Sequence, residues 1–86
     1  MGNAKMETKG IYRTSDLYIA AWLLSKGLQL QHIDRNDRQR FSFIFTDRQD
    51  RPELVHSFMC GRATGNLADY VYYLRRAKRL LYSVEV

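Results

Sequence analysis

The chain has 86 residues, of which 45% are hydrophobic, and carries a formal net charge of +5. Its length fits one folded domain, and its single cysteine excludes an internal disulfide and favours a reducing, cytoplasmic location. The longest apolar run, Tyr18 to Leu24, is far shorter than the ~20 residues of a membrane-spanning helix. The sequence therefore predicts no membrane association, while a pI near 9.7 permits an anionic partner without requiring one.

The sequence predicts that the whole chain divides into two parts. Residues 1–10 are expected to form a disordered leader, and residues 11–86 a single domain. The domain begins with a short β-permissive stretch at residues 11–13. If this stretch adds to a later hairpin, the sheet gains a third strand and becomes more stable.

A helix is predicted next, and its two ends are marked by their side chains. Residues 14–16 are Thr, Ser and Asp, which are successive N-capping candidates. The helix is expected to run to about Lys26 and to end at Gly27, because glycine adopts the left-handed cap conformation most easily. Apolar side chains surround this helix, which is typical of a buried element at the centre of a core.

Two strands with alternating apolar residues follow and predict an antiparallel hairpin. They are residues 28–33 and 41–46, and the connection between them contains the turn-favouring pair Asn36-Asp37. His32 is expected to cap the end of the hairpin. The residues expected on the core side are Leu28, Leu30, Phe41, Phe43 and Phe45.

Two helices are predicted to complete the chain. The first is capped by Asp50 and ends at Gly61, and the second runs from the cap Asn66 to about Tyr82. Their expected buried faces are Leu54, Val55, Phe58 and Met59 in the first, and Leu67, Tyr70, Val71, Leu74, Ala77 and Leu81 in the second. The predicted fold class is α+β: a small antiparallel hairpin of two or three strands with three helices, in the order (β)-α-β-β-α-α.

The stretch "YRTSDLYIAAWLLSKG" followed by "LQLQHIDRNDRQRFSFIF" resembles a family of short bacterial and phage-associated proteins catalogued as a domain of unknown function. The helix entry of that family matches here at Tyr12, Thr14, Asp16 and Leu17, and the resemblance extends over residues 11–82. It implies the same helix, phenylalanine-rich hairpin and C-terminal helices. It implies no activity, substrate or catalytic residue.

The stretch "YVYYLRRAKRLL" in the last predicted helix contains the candidate nucleic-acid-binding residues Tyr72, Arg75, Arg76 and Arg79. These lie opposite the expected apolar face, where a tyrosine among arginines can bind phosphates and stack one base. The alternative is structural: cations near a helix C-terminus complement its dipole, and Tyr72 can pair with an arginine through a cation–π contact.

Further arginines in the loops can extend this basic surface or can serve the fold. They are Arg35, Arg38, Arg40, Arg48 and Arg51, and they alternate with Asp34, Asp37, Asp47 and Asp50. Alternating signs favour local ion pairs over a track for phosphates.

The case for an enzyme rests on His56 and Cys60, which are four residues apart on one predicted helix. A thiol beside an imidazole is a minimal nucleophile pair. However, Cys60 lies at the negative end of the helix, which opposes thiolate formation, and no oxyanion hole is indicated. His32 and His56 are also too scattered for a zinc motif. We therefore predict no enzyme activity, no metal site and no cofactor.

Two functions remain open from the sequence. The first is a non-enzymatic nucleic-acid-binding accessory protein that uses the arginine-rich helix. The second is a protein-interaction module, most simply a homodimer, formed through the edge of the hairpin or through an outer sheet face carrying Ile33 and Ile44.

Overall fold

A computed structural model describes residues 10–35 and 40–82 of the chain. These residues form a three-stranded sheet and three helices: β1 (Ile11–Thr14), α1 (Leu17–Ser25), β2 (Leu30–Asp34), β3 (Ser42–Thr46), α2 (Arg51–Met59) and α3 (Leu67–Tyr82). The order β-α-β-β-α-α confirms the α+β prediction, including the leading strand. The predicted leader, apart from Gly10, and the turn at Asn36-Asp37 lie outside the described residues.

The sheet is antiparallel and places β3 at its centre, in the order β1-β3-β2. Tyr12 of β1 and Leu30 of β2 both pair with Phe45, so the two flanking strands meet the same residue of β3 from opposite sides. The predicted hairpin of the second and third strands is therefore confirmed. The first strand adds to the hairpin along β3.

A β-bulge in β2 changes which residues face the core. Leu30 pairs with Phe45 but His32 pairs with Ile44, so Gln31 is an extra residue in the ladder. Beyond the bulge, Ile33 packs against the core. The prediction that Ile33 lies on the outer face is therefore wrong, because one inserted residue reverses the alternation.

The outer face of the sheet is shielded by polar side chains. Ile44 lies there, outside the core cluster, yet it is only 2% exposed. Its ladder partners are Arg13 and His32, and the Arg13 guanidinium bonds Asp34 at 3.2 Å across the central strand. The predicted apolar outer face is therefore wrong, and His32 lies within β2 rather than capping the end of the hairpin.

The helix α1 forms the centre of the core. The Asp16 carboxylate accepts hydrogen bonds from the backbone N–H groups of Tyr18 and Ile19, at 2.8 and 3.2 Å, which caps the helix as predicted. Gly27, at φ 90°, follows its C-terminus, where a left-handed residue is needed. The core cluster consists of Ile19, Ala20, Trp22, Leu23, Leu28, Phe43, Phe45, Ala77 and Leu81.

The helix α2 packs against this core through one side. The Trp22 indole N–H donates to the carbonyl of Leu54 at 2.9 Å, which joins α2 to α1. Phe58 stacks on Trp22 with ring centroids 5.7 Å apart. Met59 is 69% exposed, so its predicted place in the buried stripe is wrong. It is the last residue of the helix and points about 95° away from the centre of the face formed by Leu54, Val55 and Phe58.

The helix α3 begins at Asn66, whose side-chain oxygen accepts from the N–H of Asp69 at 3.0 Å. Its buried face is narrower than predicted. Ala77 and Leu81 are buried and Tyr70 is half-buried, whereas Leu67 is 75% and Val71 38% exposed. At 3.6 residues per turn, Leu67 and Val71 point about 60° and 100° away from the centre of the face that meets the core. Their predicted burial is therefore wrong.

Candidate nucleic-acid interface

Four of the side chains of α3 form one solvent-exposed surface, which we call the arginine face: Tyr72, Arg75, Arg76 and Arg79. Their spacing of three, four and seven residues from Tyr72 places them on one side of the helix. This side is opposite the buried Ala77 and Leu81. The face predicted from the sequence is therefore present as one continuous surface.

The charges of the arginine face have no partner within residues 10–35 and 40–82. There, the side chains of Arg75, Arg76 and Arg79 make neither an ion pair nor a hydrogen bond. Each has only uncharged or cationic residues three and four positions away on the helix. Because no carboxylate of the described residues pairs with these arginines, they present a positively charged surface within that part of the chain.

The two structural explanations of these cations, the helix dipole and a cation–π pair with Tyr72, account for only a small part of their charge. Only Arg79 lies in the last turn of α3, where a cation complements the helix dipole. Among the described residues, the cation–π pairs are Lys26 over Trp22 and Arg51 over Tyr12, so Tyr72 is in neither. The Tyr72 ring instead meets the Tyr73 ring edge to face, with centroids 4.9 Å apart, and remains 56% exposed.

The loop arginines, in contrast, are held by the fold. Arg48 bonds Asp50 at 2.6 Å and donates to the carbonyl of Lys26 at 3.0 Å, at the C-terminus of α1. Arg51 bonds Asp47 at 3.0 Å. These bonds lower the pKa of the Asp47 and Asp50 carboxyls below their ordinary values. The predicted local pairing is confirmed for these two arginines.

Arg35 also serves the fold. Its guanidinium donates to the carbonyls of Leu80 and Leu81, at 2.8 and 2.5 Å, and so caps the C-terminus of α3. Arg40 is exposed, and Arg38 lies outside the described residues. The structure therefore assigns Arg35, like Arg48 and Arg51, to the fold rather than to an extension of the arginine face.

Comparison with known protein families matches residues 9–83 to the family described as Domain of unknown function (DUF5659). The chain belongs to this family. The resemblance drawn from the helix entry and the hairpin is thereby confirmed for an uncharacterised domain family, while its bacterial or phage origin stays a prediction. A search of curated proteins and a search of solved structures each found no match.

In this DUF5659 domain, the side chains of His56 and Cys60, which the sequence analysis considered and rejected as a nucleophile pair, lie close together. The Cys60 sulfur lies 3.5 Å from Nε2 of His56, and both side chains are exposed at the end of α2. Within the described ranges, no three His, Cys, Asp or Glu side chains converge to hold a metal ion. His32 lies on the sheet, away from this pair. The pair can make a weak hydrogen bond, and the third group that would orient the imidazole in a catalytic triad is not indicated by the sequence.

The DUF5659 domain also has an apolar pocket that sequence analysis missed. It has a volume of ≈ 200 Å³ and lies between α1, the end of α2 and the start of α3; its walls include Trp22, Phe58, Ala63, Leu67 and Tyr70. Burial raises the pKa of the Tyr70 hydroxyl, which donates to the carbonyl of Tyr18 at 3.2 Å. The sequence signal for this pocket is the connection "RATG" between the helices, whose small residues Ala63 and Gly65 fill little of the space beside the aromatic rings.

None of the helices in the described part of the chain is both long enough and apolar enough to cross a membrane.

Proposed function

We propose that this domain is a non-enzymatic nucleic-acid-binding accessory protein that contacts phosphates through its arginine face. The observation that carries the proposal is the absence, within the described residues, of any ion pair to Arg75, Arg76 or Arg79. A structural arginine contributes through a partner, as Arg48 and Arg51 do. Three adjacent arginines without a partner are a surface that gains from binding a polyanion.

Arginine suits this role because its planar guanidinium bonds phosphate through two parallel N–H groups. Each phosphate that an arginine neutralises also releases counterions from the nucleic acid, which makes affinity depend on salt. Three contacts predict a slope of log affinity against log salt of about −2 for a single strand and nearer −3 for a duplex. The slope therefore counts the contacts independently of the affinity itself.

The test is a fluorescence-anisotropy titration against labelled DNA and RNA, repeated across salt concentrations. Changing Arg75, Arg76 and Arg79 together to Gln is expected to reduce affinity about 10- to 100-fold at low salt and to flatten the salt slope. The matched control compares two double variants with the same loss of charge: Arg75→Gln with Arg76→Gln, and Arg40→Gln with Arg62→Gln. The second pair removes exposed arginines from outside α3.

We expect the α3 pair to weaken binding far more than the control pair does. Equal losses from the two pairs would mean that net charge alone attracts nucleic acid, which would remove the arginine face from the proposal. No binding by the unaltered protein at low salt would overturn the proposal as a whole.

The proposed role needs no catalysis. In support of this, both Cys60 and His56 are exposed to water at the end of α2. The role also fits a reducing, cytoplasmic compartment. A free, exposed thiol is typical of a reducing environment. Changing Cys60 to Ser is expected to leave nucleic-acid binding and stability unchanged, and a large loss of either would contradict this view of the pair.

A second candidate function is protein binding, and the apolar pocket favours it. Leu67, which lines the pocket, is 75% exposed, an unusual exposure for a leucine beside three aromatic rings. Self-association through this patch would be weakened by Leu67→Lys, with Ile11→Lys as a control at another exposed apolar residue. Sedimentation of the unaltered protein as a monomer at high concentration would exclude the homodimer.

A further inference from the structure

The exposed ring of Tyr72 indicates which nucleic acid the arginine face can use. Tyr72 is 56% exposed, although a tyrosine can bury most of its ring against a helix surface. Its ring meets that of the half-buried Tyr73 edge to face, at 4.9 Å and 88°, and so leaves its own face to solvent. Arg75 and Arg76 lie one turn away along the same side of the helix. An exposed aromatic ring therefore stands beside the arginines that we propose bind phosphates.

A duplex cannot use this plane. The faces of its bases are stacked on one another, so a tyrosine on a flat helix surface reaches only the sugar and phosphate groups. An unpaired base exposes its face, and stacking on an aromatic ring is tolerant of sequence because every base has such a face. The ring contributes to affinity only when the strand is single.

We infer that the arginine face selects single-stranded nucleic acid, with one unpaired base stacked on Tyr72 and the neighbouring phosphates bound by Arg75, Arg76 and Arg79. This inference rests on the proposed function and assigns its ligand class. The axial distance from Tyr72 to Arg79 is about 10 Å, seven residues at the rise of a helix. That length corresponds to about three nucleotides at the ~3.4 Å rise of a stacked strand, and to fewer in an extended strand.

The competing structural reading of Tyr72 is that its ring only covers Tyr73. If the ring only covers Tyr73, removing it should change stability slightly and should not change binding. If the ring stacks on a base, removing it should weaken binding. Leucine is the suitable replacement, since it keeps the helix propensity and covers Tyr73 but offers no aromatic plane.

The experiment uses three labelled probes of about 12 nucleotides, a length within the range of known single-strand sites. They are a single strand of thymidines, a strand of equal length in which each nucleotide lacks its base (an abasic strand), and a duplex. The abasic strand keeps the phosphates but has no base to stack. Affinities are measured for the unaltered protein, Tyr72→Leu and Tyr72→Phe. The matched control is Tyr18→Leu, because Tyr18 has a nearly equal exposure of 54% on α1.

We expect the unaltered protein to bind the thymidine strand roughly 5- to 150-fold more tightly than the abasic strand, the range of stacking on one base. Tyr72→Leu should abolish this preference without changing the salt slope, because it removes no charge. Tyr72→Phe should keep the preference, and Tyr18→Leu should leave all three affinities as they are. Thermal unfolding of each variant verifies that the fold is intact.

Equal affinity for the thymidine and abasic strands, or no effect of Tyr72→Leu, would overturn the inference. In that case, loss of binding on changing the three arginines to Gln would leave the proposed function standing as phosphate binding alone. Failure of the unaltered protein to bind any of the probes would overturn the proposed function and the inference together.

Discussion

Two groups of arginines in this domain differ in what their guanidinium groups contact. Four are held within the fold, and we call them the bound arginines: Arg13, Arg35, Arg48 and Arg51. Three others, on the outer side of α3, form the arginine face, and within the described residues their side chains have no ion pair or hydrogen bond. The number of arginines in a sequence therefore says little about binding until each one is placed beside its neighbours.

The difference has a local cause. Arg48 and Arg51 lie two and four residues from the aspartates that they bond, and Arg35 and Arg48 lie beside helix C-termini whose carbonyls accept their hydrogen bonds. On α3, Arg75 instead has Arg79 four residues away, and this like-charge pair destabilises the helix slightly. The bound arginines therefore stabilise the fold, whereas Arg75 and Arg79 make no such contact among the described residues.

The largest expected effect on stability comes from Arg35. Replacing it with Ala removes two charge-assisted hydrogen bonds to the last carbonyls of α3, so the free energy of unfolding should fall by about 2 kcal/mol. Urea unfolding followed by circular dichroism measures this change. Arg40→Ala is the control, since Arg40 is exposed near the other end of the same connection. A loss no larger than that of the control would place Arg35 outside the bound group.

Arg48 should have the next largest effect. Arg48→Ala removes the ion pair with Asp50 and the bond to the carbonyl of Lys26, and we expect a loss of about 1 kcal/mol. Arg48→Lys should restore only part of it, because an ammonium group cannot keep the paired contacts of a guanidinium. Full stability in Arg48→Ala would show that the cap of α1 at Gly27 is sufficient by itself.

The pair of Asp47 and Arg51 predicts a dependence of stability on pH. The hydrogen bond from Arg51 holds the pKa of the folded Asp47 carboxyl below that of the unfolded chain. Its contribution is therefore fully present above the ordinary carboxyl pKa of ~3.9 and is lost as the pH falls through the lower folded-state value.

Asp47→Asn should accordingly cost about 0.5 kcal/mol at neutral pH and nothing in strong acid. Thermal unfolding measured from pH 7 to pH 2 tests this, with Asp69→Asn as the control, since Asp69 is exposed on α3. A difference from the unaltered protein that persists unchanged at low pH would contradict the assignment.

The smallest expected change has the opposite sign. Arg75→Glu replaces a like-charge pair with a Glu placed four residues before Arg79, so the free energy of unfolding should rise by about 0.3–0.5 kcal/mol. The same substitution should weaken binding to nucleic acid, because it places a negative charge within the arginine face. Stability that falls instead would mean that Arg75 belongs with the bound arginines and that the two groups are not distinct.

The sequence alone was a good guide where the signal is local. Asp16 and Asn66 cap helices as predicted, and Gly27 and Gly61 follow helix ends with positive φ. These features depend on the backbone geometry of a few adjacent residues, so their chemistry can be read without knowing the rest of the fold. The family resemblance predicted the same elements, because it was drawn from the same capping and core residues.

Asp50 precedes α2 as predicted but makes no capping hydrogen bond, and its carboxylate bonds Arg48 instead. The other wrong predictions mostly concern which way a side chain faces. The bulge at Gln31 turned Ile33 inward, and an alternating pattern carries no mark of an inserted residue. Leu67 and Met59 belong to apolar stripes but lie at the ends of their helices and point away from the centre of the face that meets the core. Periodicity defines a face of a helix; how much of that face is covered depends on where the neighbouring helix lies.

For the candidate site, the sequence by itself determined which residues share one side of α3, since a helical period places Tyr72, Arg75, Arg76 and Arg79 together. The pairs of Arg48 and Arg51 with nearby aspartates were predicted from the sequence, but only the tertiary structure decided the partners of Arg13 and Arg35. Arg35 reaches a helix end 45 residues away in sequence, and Arg13 reaches Asp34 across the sheet. Contacts between distant segments are set by packing, so the arginines that have no partner among the described residues, and with them the candidate binding surface, become visible only in the folded chain.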